Sequence, residues 1–438
     1  MSATDLTLAA DGRLDALDDG LRRRLLERGV PDEEELRRTT RDILDRVRAD
    51  GDAALVEFAR RFDRVELERL EVPRRAWDEA LDRLDPGVRS GLERAARNIE
   101  TFHRALVPEE VVVEVEPGIR LGRRFVPLGA VGVYAPGGRA AYPSSVLMGV
   151  VPARAAGVPE IVVCSPPGPD GRPPDVVLAA AAMGGATRLV AAGGAGAVGA
   201  MAWGTASVPR CDAIVGPGNR WVLEAKRQVA GRVVIDSPAG PSEVLVLSEE
   251  GCAGAEEIAS ELVAQAEHDP DAAVAFVTTS RAQLEAVREA LTRQVAASPR
   301  RDVVEAALAA QGALLLAPDH GAMLDFAAEY AAEHLSLCTA DPRSDLERIP
   351  TAGTVFMGPA ASVAFGDYMT GANHVLPTAG TARSFSGLGS LHFLRSYTWQ
   401  DIDPAAAARL AEPVAILAEA EGLPGHAFAA RLRGGRSS

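Results

Sequence analysis

The sequence has 438 residues, of which 47% are hydrophobic and 24% charged, and its formal net charge is −15. One hydrophobic core stops growing at about 250–300 residues, so a chain of this length is expected to form at least two domains. The composition is that of an ordinary globular protein, and the acidic balance argues against nucleic acid or an anionic membrane as a partner.

Cysteine usage and the N-terminal segment predict a cytoplasmic protein. The four cysteines are widely spaced and include no CxxC pair, so neither a disulfide framework nor a thiolate zinc site is predicted, and a reducing compartment fits. The N-terminal segment MSATDLTLAADGRLDALDDG is acidic and has no apolar core, unlike a signal peptide. The apolar runs are too short to span a bilayer.

The first part of the chain is predicted to be mainly helical. Residues 1–30 form a mixed lead-in, and Pro31, which acidic residues follow, predicts a helix start. Gly51 separates this helix from a second one. The alternating segment VVVEVE then predicts a strand.

From about residue 130 the pattern changes to alternating strands and helices. Between residues 130 and 240 the strand-like runs are VGVYA, EIVVC, RLVAA, DAIVG and RVVID, with a helical stretch after each of the first four. This alternation predicts a parallel, doubly wound sheet covered on both faces. A second set follows to about 385, with helices predicted at 254–268, 282–296 and 321–335. The rest is predicted to be mainly helical.

These patterns predict an α/β fold with two doubly wound, incomplete Rossmann-like domains and small helical pieces at both ends. The expected divisions are a lead-in of residues 1–30, a first α/β domain of residues 31–130 plus 241–385, a second α/β domain of residues 131–240 and a C-terminal helical piece of residues 386–438.

Three glycine-rich turns follow strands of the predicted first sheet. Residues 194–199 spell GxGxxG between a strand and a helix, as in a dinucleotide-binding turn. The acidic residue that should end the next strand is absent, however, because Asp212 begins that strand, so a tight turn and close packing are favoured. With the turns at 137–138 and 216–219, a small-molecule site at the carboxyl edge is predicted. Ordinary turn glycines are an equal alternative for each turn.

Histidines and carboxylates supply candidates for acid–base chemistry and metal binding. Glu333 and His334 end a predicted helix, either as an acid–base pair or as a solvated helix end. Gln265 and His268 share one helix face. The set also includes Asp367 and His374 in a glycine-rich loop, and His426 near the C-terminus.

Scattered histidines and carboxylates are compatible with a zinc site of nitrogen and oxygen ligands, although no compact spacing such as HExxH occurs. From the residues alone, His268 with Glu267 or Asp269 would be chosen, and Gln265 would not, since amides are poor zinc ligands. The other histidines are interpreted as surface or structural residues: His103, His320 and His392.

Taken together, nine collinear segments resemble the histidinol dehydrogenase family over almost the whole chain. The segments are GDAALVEFARRFD (51–63), VGVYAPGGRAAYPSSVLMGVVPA (131–153), GGAGAVGAMAWGT (193–205), VGPGNRWVLEAKRQV (215–229), IDSPAGPSEVLVL (235–247), AQAEHDPDA (264–272), YAAEHL (330–335), GDYMTGANHVLPTAGTAR (366–383) and AEGLPGH (420–426).

The resemblance implies roles for individual residues. It makes Glu333 and His334 the catalytic acid–base pair, and Tyr134 and Asn219 contacts of NAD. One zinc ion per subunit would be held by Gln265, His268, Asp367 and His426, which reverses the choice made from the residues alone. The implied substrate contacts are Ser242, Gln265, His268, His334, Asp367, Glu421 and His426.

The implied reaction is the oxidation of L-histidinol to L-histidine through the aldehyde with two NAD, the last steps of histidine biosynthesis. The implied assembly is a homodimer with shared active sites. Residues 131–240 would then bind NAD, the other α/β domain would carry the catalytic and most metal residues, and residues 386–438 would reach the partner subunit.

The sequence departs from the family pattern at two places, and three other functions stay open. Gly196 stands where the family has a glutamine that contacts NAD, and His392 stands where an acid is common. The nearest alternative is a sister dehydrogenase that oxidises another polar alcohol, such as a sulfonated diol, and that differs in its substrate pocket. A zinc hydrolase would not produce NADH. A non-catalytic binding protein would not explain metal and proton-handling residues together.

Overall fold

The structure is a computed structural model that describes residues 6–28, 33–137, 141–238 and 240–435. The predicted helix start at Pro31 and the second glycine of the predicted turn at 137–138 lie outside these residues. Within them the chain is a mixed α/β protein with two parallel sheets and one small antiparallel sheet. The predicted fold class is therefore confirmed.

The N-terminal part consists of five helices and three strands. Gly51, with φ of 57°, lies between the second and third helices as predicted. The elements are β1 (Ala10–Arg13), α1 (Asp19–Leu26), α2 (Glu34–Asp50), α3 (Asp52–Phe58), α4 (Arg74–Arg83), α5 (Pro86–Ala105), β2 (Val111–Glu116) and β3 (Ile119–Pro127).

The next segment forms the five-stranded sheet. Its elements are β4 (Ala130–Tyr134), α6 (Pro143–Ala155), β5 (Glu160–Ser165), α7 (Asp175–Gly184), β6 (Arg188–Ala191), α8 (Gly194–Trp203), β7 (Ala213–Val215), α9 (Arg220–Val229) and β8 (Val234–Ile235). All its strand pairs are parallel, in the order β6-β5-β4-β7-β8. This is the Rossmann order without its last strand, as the alternating pattern predicted.

The six-stranded sheet repeats this order. Its later elements are β9 (Glu243–Ser248), α10 (Ala255–Ala266), β10 (Ala273–Thr278), α11 (Arg281–Ala297), α12 (Arg301–Gln311), β11 (Gly312–Leu316), α13 (His320–Tyr330), β12 (His334–Cys338), α14 (Pro342–Leu346), β13 (Thr354–Met357) and α15 (Val363–Tyr368). The parallel order is β1-β11-β10-β9-β12-β13. Strand β1, which lies in the expected lead-in, is thus an edge strand of this sheet.

The first helices pack differently from the expected domain division. The sequence pattern grouped residues 31–130 with 241–385, but α2 and α3 pack against α8 and α9, while α4 and α5 pack against α6 and α7. Apolar side chains of these helices, including Leu44 and Trp77, share cores with strands of the five-stranded sheet. Amphipathic periodicity shows which face of a helix is buried, but it does not show which sheet buries that face.

The C-terminal piece contains a strand where helix was expected. Strand β14 (Leu394–Ile402) pairs antiparallel with β3 in the order β14-β3-β2. Its Tyr, Thr, Trp and Ile residues favour an extended chain, and this preference prevails over the helical spacing of the preceding leucines. Helices α16 (Pro404–Ala420) and α17 (Pro424–Gly434) follow and share a separate small core of alanines. Within the described ranges, no helix combines the length and the apolar character needed to cross a membrane.

Candidate active site

Several of the implied substrate and catalytic residues lie at the amino edge of the six-stranded sheet. Ser242 directly precedes β9, and His334 is the first residue of the neighbouring parallel strand β12, in register with Val244. Glu333 directly precedes His334. The predicted helix 321–335 instead ends at Tyr330, so Glu333 and His334 enter the site from a strand and not from a helix end.

Glu333 and His334 form a buried pair that β9 holds from behind. His334 Nδ1 donates a hydrogen bond to the carbonyl oxygen of Glu243 at 3.0 Å and lies 3.4 Å from Glu333 Oε2. A carbonyl oxygen can only accept, so Nδ1 carries the hydrogen and Nε2 is the basic nitrogen of the neutral ring. His334 Nε2 is buried, has no hydrogen-bond partner in the part of the chain that the structure describes, and lies 3.4 Å from Asp367 Oδ1.

The charges at this pair perturb both pKa values. Burial lowers the pKa of His334, but the Glu333 and Asp367 carboxylates outweigh burial and raise the pKa well above its usual range. Burial also raises the pKa of Glu333, and the nearby His334 offsets only part of this effect. Perturbed titratable groups that face each other in this way are typical of proton-transfer sites.

Three of the four implied zinc ligands come from segments near this pair. Gln265, in the last turn of α10, is 2% exposed, and no described residue forms a hydrogen bond with its Oε1. Its Nε2 lies 3.4 Å from His268 Nδ1. Asp367 and His268 are close enough for the carboxylate to act on the pKa of His268, which burial lowers.

No metal-binding group of three His, Cys, Asp or Glu side chains is found within residues 6–28, 33–137, 141–238 and 240–435. Of these residue types, His268 and Asp367 are the implied ligands that lie near each other. The unpartnered, buried amide oxygen of Gln265 is the additional donor that fits a metal ion there. The residues are therefore an incomplete but compatible donor set.

Asp367 was expected in a loop but lies near the end of α15, and the segment from there to His374 joins the two sheets. His374 Nδ1 donates to the backbone oxygen of Asp367 at 3.0 Å, and its Nε2 lies 3.2 Å from Ser145 Oγ in α6. Asn373 Nδ2 donates to the carbonyl oxygen of Met148 at 2.7 Å in the same helix. Helix α6 follows the carboxyl end of β4. These bonds therefore place the amino edge of the six-stranded sheet beside the carboxyl edge of the five-stranded sheet.

The implied NAD contacts lie at the carboxyl edge of the five-stranded sheet. Tyr134 ends β4 and accepts a hydrogen bond at Oη from the Gly194 backbone N–H at 3.1 Å. Asn219 is exposed at the start of α9, and its Oδ1 accepts from the backbone N–H of Trp221 and Val222. Nδ2 of Asn219 takes no part in these two helix-capping hydrogen bonds. A Cβ at Gly216 would lie 2.2 Å from the Tyr134 carbonyl oxygen, so this close strand contact requires glycine.

The GxGxxG segment serves close helix packing, the interpretation that the missing acid favoured. A Cβ at Gly196 would lie 3.0 Å from Phe58 Cδ2, and a Cβ at Gly199 would lie 3.2 Å from Leu44 Cδ2. Both glycines therefore let α8 approach α2 and α3.

Two implied substrate residues lie outside this cluster. Glu421 and His426 are exposed on the C-terminal helical pair, Glu421 at the end of α16 and His426 in α17. Among the described residues, neither has a hydrogen bond or ion pair with Gln265, His268 or Asp367.

Sequence reasoning missed the residues that support the pair from behind. Glu243 stands next to Ser242 within a matched segment, but only the strand pairing shows that it contacts Glu333 and His334. The other histidines have structural surroundings. His103 is buried, His320 pairs with Asp345 and Glu249, and His392 accepts a hydrogen bond from the Gly389 N–H.

Comparison with known proteins agrees with this geometry. A family model described as histidinol dehydrogenase matches residues 26–434. Histidinol dehydrogenase of Methanosarcina mazei is 46% identical over 398 residues, covering 91% of this chain and 92% of the relative. That of Natronomonas pharaonis is 49% identical over 395 residues, covering 90% and 92%. The crystal structure of histidinol dehydrogenase from Elizabethkingia anophelis has a TM-score of 0.92 at 31% identity, covering 97% of this chain and 98% of that chain. The chain therefore belongs to the histidinol dehydrogenase family.

Proposed function

We propose that this chain oxidises L-histidinol to L-histidine through the aldehyde, with two NAD molecules used in succession. The observation that carries the proposal is the buried Glu333–His334 pair, whose free Nε2 faces the Asp367 carboxylate. The names of the relatives favour histidinol over another polar alcohol. When bound, NAD supplies the hydride acceptor for both oxidations.

In the proposed mechanism the two side chains handle different protons. In its neutral form, His334 takes the hydroxyl proton of the alcohol at Nε2 in the first oxidation, since Nδ1 is committed to the Glu243 carbonyl oxygen. The aldehyde must add water before the second oxidation. Glu333, as a carboxylate, takes a proton from that water while His334 returns its proton to the aldehyde oxygen. His334 then takes a hydroxyl proton of the hydrate as the second hydride leaves, which gives the acid. Tyr134 and Asn219 contact the cofactor at the facing edge.

The proposed metal ligands are Gln265, His268 and Asp367 of one subunit and His426 of a second one, with one zinc ion per subunit. The buried, unpartnered oxygen of Gln265 supports this assignment. When bound, zinc would supply a template for the nitrogen atoms of histidinol. Ser242, His334 and Glu421 are the proposed additional substrate contacts.

The proposed assembly is a homodimer in which the C-terminal helices complete the active site of the partner. The observation that supports it is a set of large apolar side chains on α16 and α17 that are 43–69% exposed. They are Ile416, Leu417, Leu423, Phe428 and Leu432. Several large exposed apolar side chains on one helical pair are typical of a protein interface. Covering these side chains with a second copy would bring His426 and Glu421 to a site that lacks them.

The proposed location is the cytoplasm. The four cysteines are all free thiols, three of them buried, as suits a reducing compartment.

The test is NADH formation by the purified protein with L-histidinol and, in parallel, a sulfonated diol. We expect two NADH per histidinol, loss of activity on chelation and recovery on addition of zinc. NADH from the diol alone would identify a sister dehydrogenase. Hydrolysis of an amide without NADH would identify a zinc hydrolase. Full activity after verified metal removal would contradict the zinc assignment.

A further inference from the structure

A buried ion pair lies next to Glu333 and His334, and its two charged side chains have no part in the mechanism above. Arg28 and Glu243 form an ion pair whose side chains are 2% and 1% exposed. The pair is bidentate, since Arg28 Nε donates to Glu243 Oε2 at 2.6 Å and Nη2 donates to Oε1 at 3.0 Å. A fork of this kind fixes both position and orientation of a carboxylate.

Glu243 in turn exchanges two hydrogen bonds with Glu333. The Glu243 backbone N–H donates to Glu333 Oε2 at 2.7 Å, and the Glu333 backbone N–H donates to Glu243 Oε1 at 3.1 Å. The Glu243 carbonyl oxygen also accepts the bond from His334 Nδ1. One residue therefore orients both the Glu333 carboxylate and the His334 ring.

Arg28 also fixes the chain that leads into Glu333. Its Nη2 donates to the carbonyl oxygen of Tyr330 at 2.9 Å, and its guanidinium lies 3.5 Å from the centroid of the Tyr330 ring. Tyr330 ends α13, and the following residue, Ala331, has φ of 51°. Arg28 thus binds both to strand β9, which lies beside Glu333, and to the turn that precedes Glu333 in the chain.

We propose that Arg28 is a positioning residue for catalysis, which acts through Glu243 to hold Glu333 and His334 in their reactive arrangement. Without Arg28, the Glu243 carboxylate would be buried without a counter-charge beside the Glu333 carboxylate, and the two would repel each other. The inference rests on the proposed function of the Glu333–His334 pair.

The test compares Arg28→Gln and Arg28→Lys with a matched control, Arg22→Gln. Arg22 lies in α1, pairs with Glu329 of α13 and lies over the Phe326 ring, but among the described residues it makes no bond to Glu243. With kcat measured per folded enzyme well below the melting temperature, we expect Arg28→Gln to lose about 10- to 100-fold in kcat with nearly unchanged KM for histidinol. Arg28→Lys keeps the charge but not the fork, so partial activity is expected. Arg22→Gln should keep full activity.

A second measurement does not depend on turnover or on the folding of Arg28→Gln. Selective ¹⁵N labelling of histidine reports the protonation of each ring nitrogen, and His334→Gln assigns the His334 signals. At a pH above the pKa of His334, where the ring is neutral, we expect protonated Nδ1 in the wild type and in Arg22→Gln, and a shift towards the other tautomer in Arg28→Lys.

Unchanged ring signals together with unchanged kcat in Arg28→Lys and Arg28→Gln would overturn the inference and leave Arg28 a purely structural residue. A wild type that forms no NADH from histidinol would contradict the proposed function, whereas the ring signals would still decide the positioning role.

Discussion

His334 uses its two ring nitrogens in different ways. Nδ1 is bonded to a main-chain oxygen and lies near Glu333, whereas Nε2 faces Asp367 and has no hydrogen bond. The sequence pointed to Glu333 and His334 because they adjoin each other in a resembling segment. It could not show the tautomer, since the tautomer depends on Glu243, which is 91 residues away along the chain.

The first prediction separates the two oxidations. Glu333→Gln keeps the size of the side chain and an oxygen that can accept from the Glu243 N–H, but it cannot take a proton from water. We expect rapid mixing with histidinol to give a first NADH phase close to wild type and a second phase slowed about 10²–10⁴-fold. Equal slowing of both phases would instead make Glu333 a general positioning group.

The second prediction concerns pH and His103, which has no role in the proposed chemistry. Burial, together with His392, lowers the pKa of His103 to about 4. The unfolded chain binds a proton at this residue near pH 6.5, whereas the folded chain does not until about pH 4. The free energy of unfolding should therefore fall as the pH drops through this window.

His103→Phe should make this loss of unfolding free energy at low pH smaller, because phenylalanine takes up no proton. Both ring nitrogens of His103 lack hydrogen-bond partners among the described residues, so the substitution removes no hydrogen bond. Urea unfolding of both proteins at pH 7.5 and at pH 4.5 would measure the difference. Parallel losses in wild type and variant would show that His103 is not the group responsible.

At the level of elements, the alternating sheets were predictable and several boundaries were not. Strands and helices differ in the spacing of their apolar residues, and this difference is why both parallel sheets could be predicted. The stretch AAEYAAEHL consists mostly of residues with good helix propensity, and only pairing of β12 with β9 turns its end into a strand. The strand β14 likewise depends on β3, which lies far away in sequence.

The third prediction concerns the contact of α8 with α3 at Gly196, where the family has a glutamine. The Phe58 ring fills the space that a side chain at this position would enter. We therefore expect Gly196→Gln to cost about 1–3 kcal/mol in stability through overpacking, without tighter NAD binding. Thermal unfolding and NAD titration are the measurements, with Gly196→Ala as the smaller control. Tighter NAD binding at an unchanged melting temperature would mean that the glutamine reaches the cofactor after all.

At the scale of the whole molecule, the two sheets present opposite edges to the site. The five-stranded sheet contributes its carboxyl edge, where ligands of doubly wound folds bind, whereas the six-stranded sheet contributes its amino edge with His334 and Ser242. Sequence patterns predict each sheet, but they do not show that these two edges lie side by side. That arrangement depends on the segment from Asp367 to His374 and its bonds to α6. Sequence patterns also cannot show that Glu421 and His426 stand apart on exposed helices.

The last prediction is that His426 completes the zinc site of the partner subunit. The helices α16 and α17 share their own small core and expose large apolar side chains, so we expect a second copy of the chain to cover these side chains.

The test uses two variants, His268→Asn and His426→Asn, each of which is inactive alone. If they are refolded together, mixed dimers should form. In a mixed dimer with shared sites, one site carries both lesions and the other carries neither. We therefore expect activity to return towards half of the wild-type value per mixed dimer, together with zinc at one site. If each chain completed its own site, every site would keep one lesion. Verified mixed dimers without activity would then exclude the shared site.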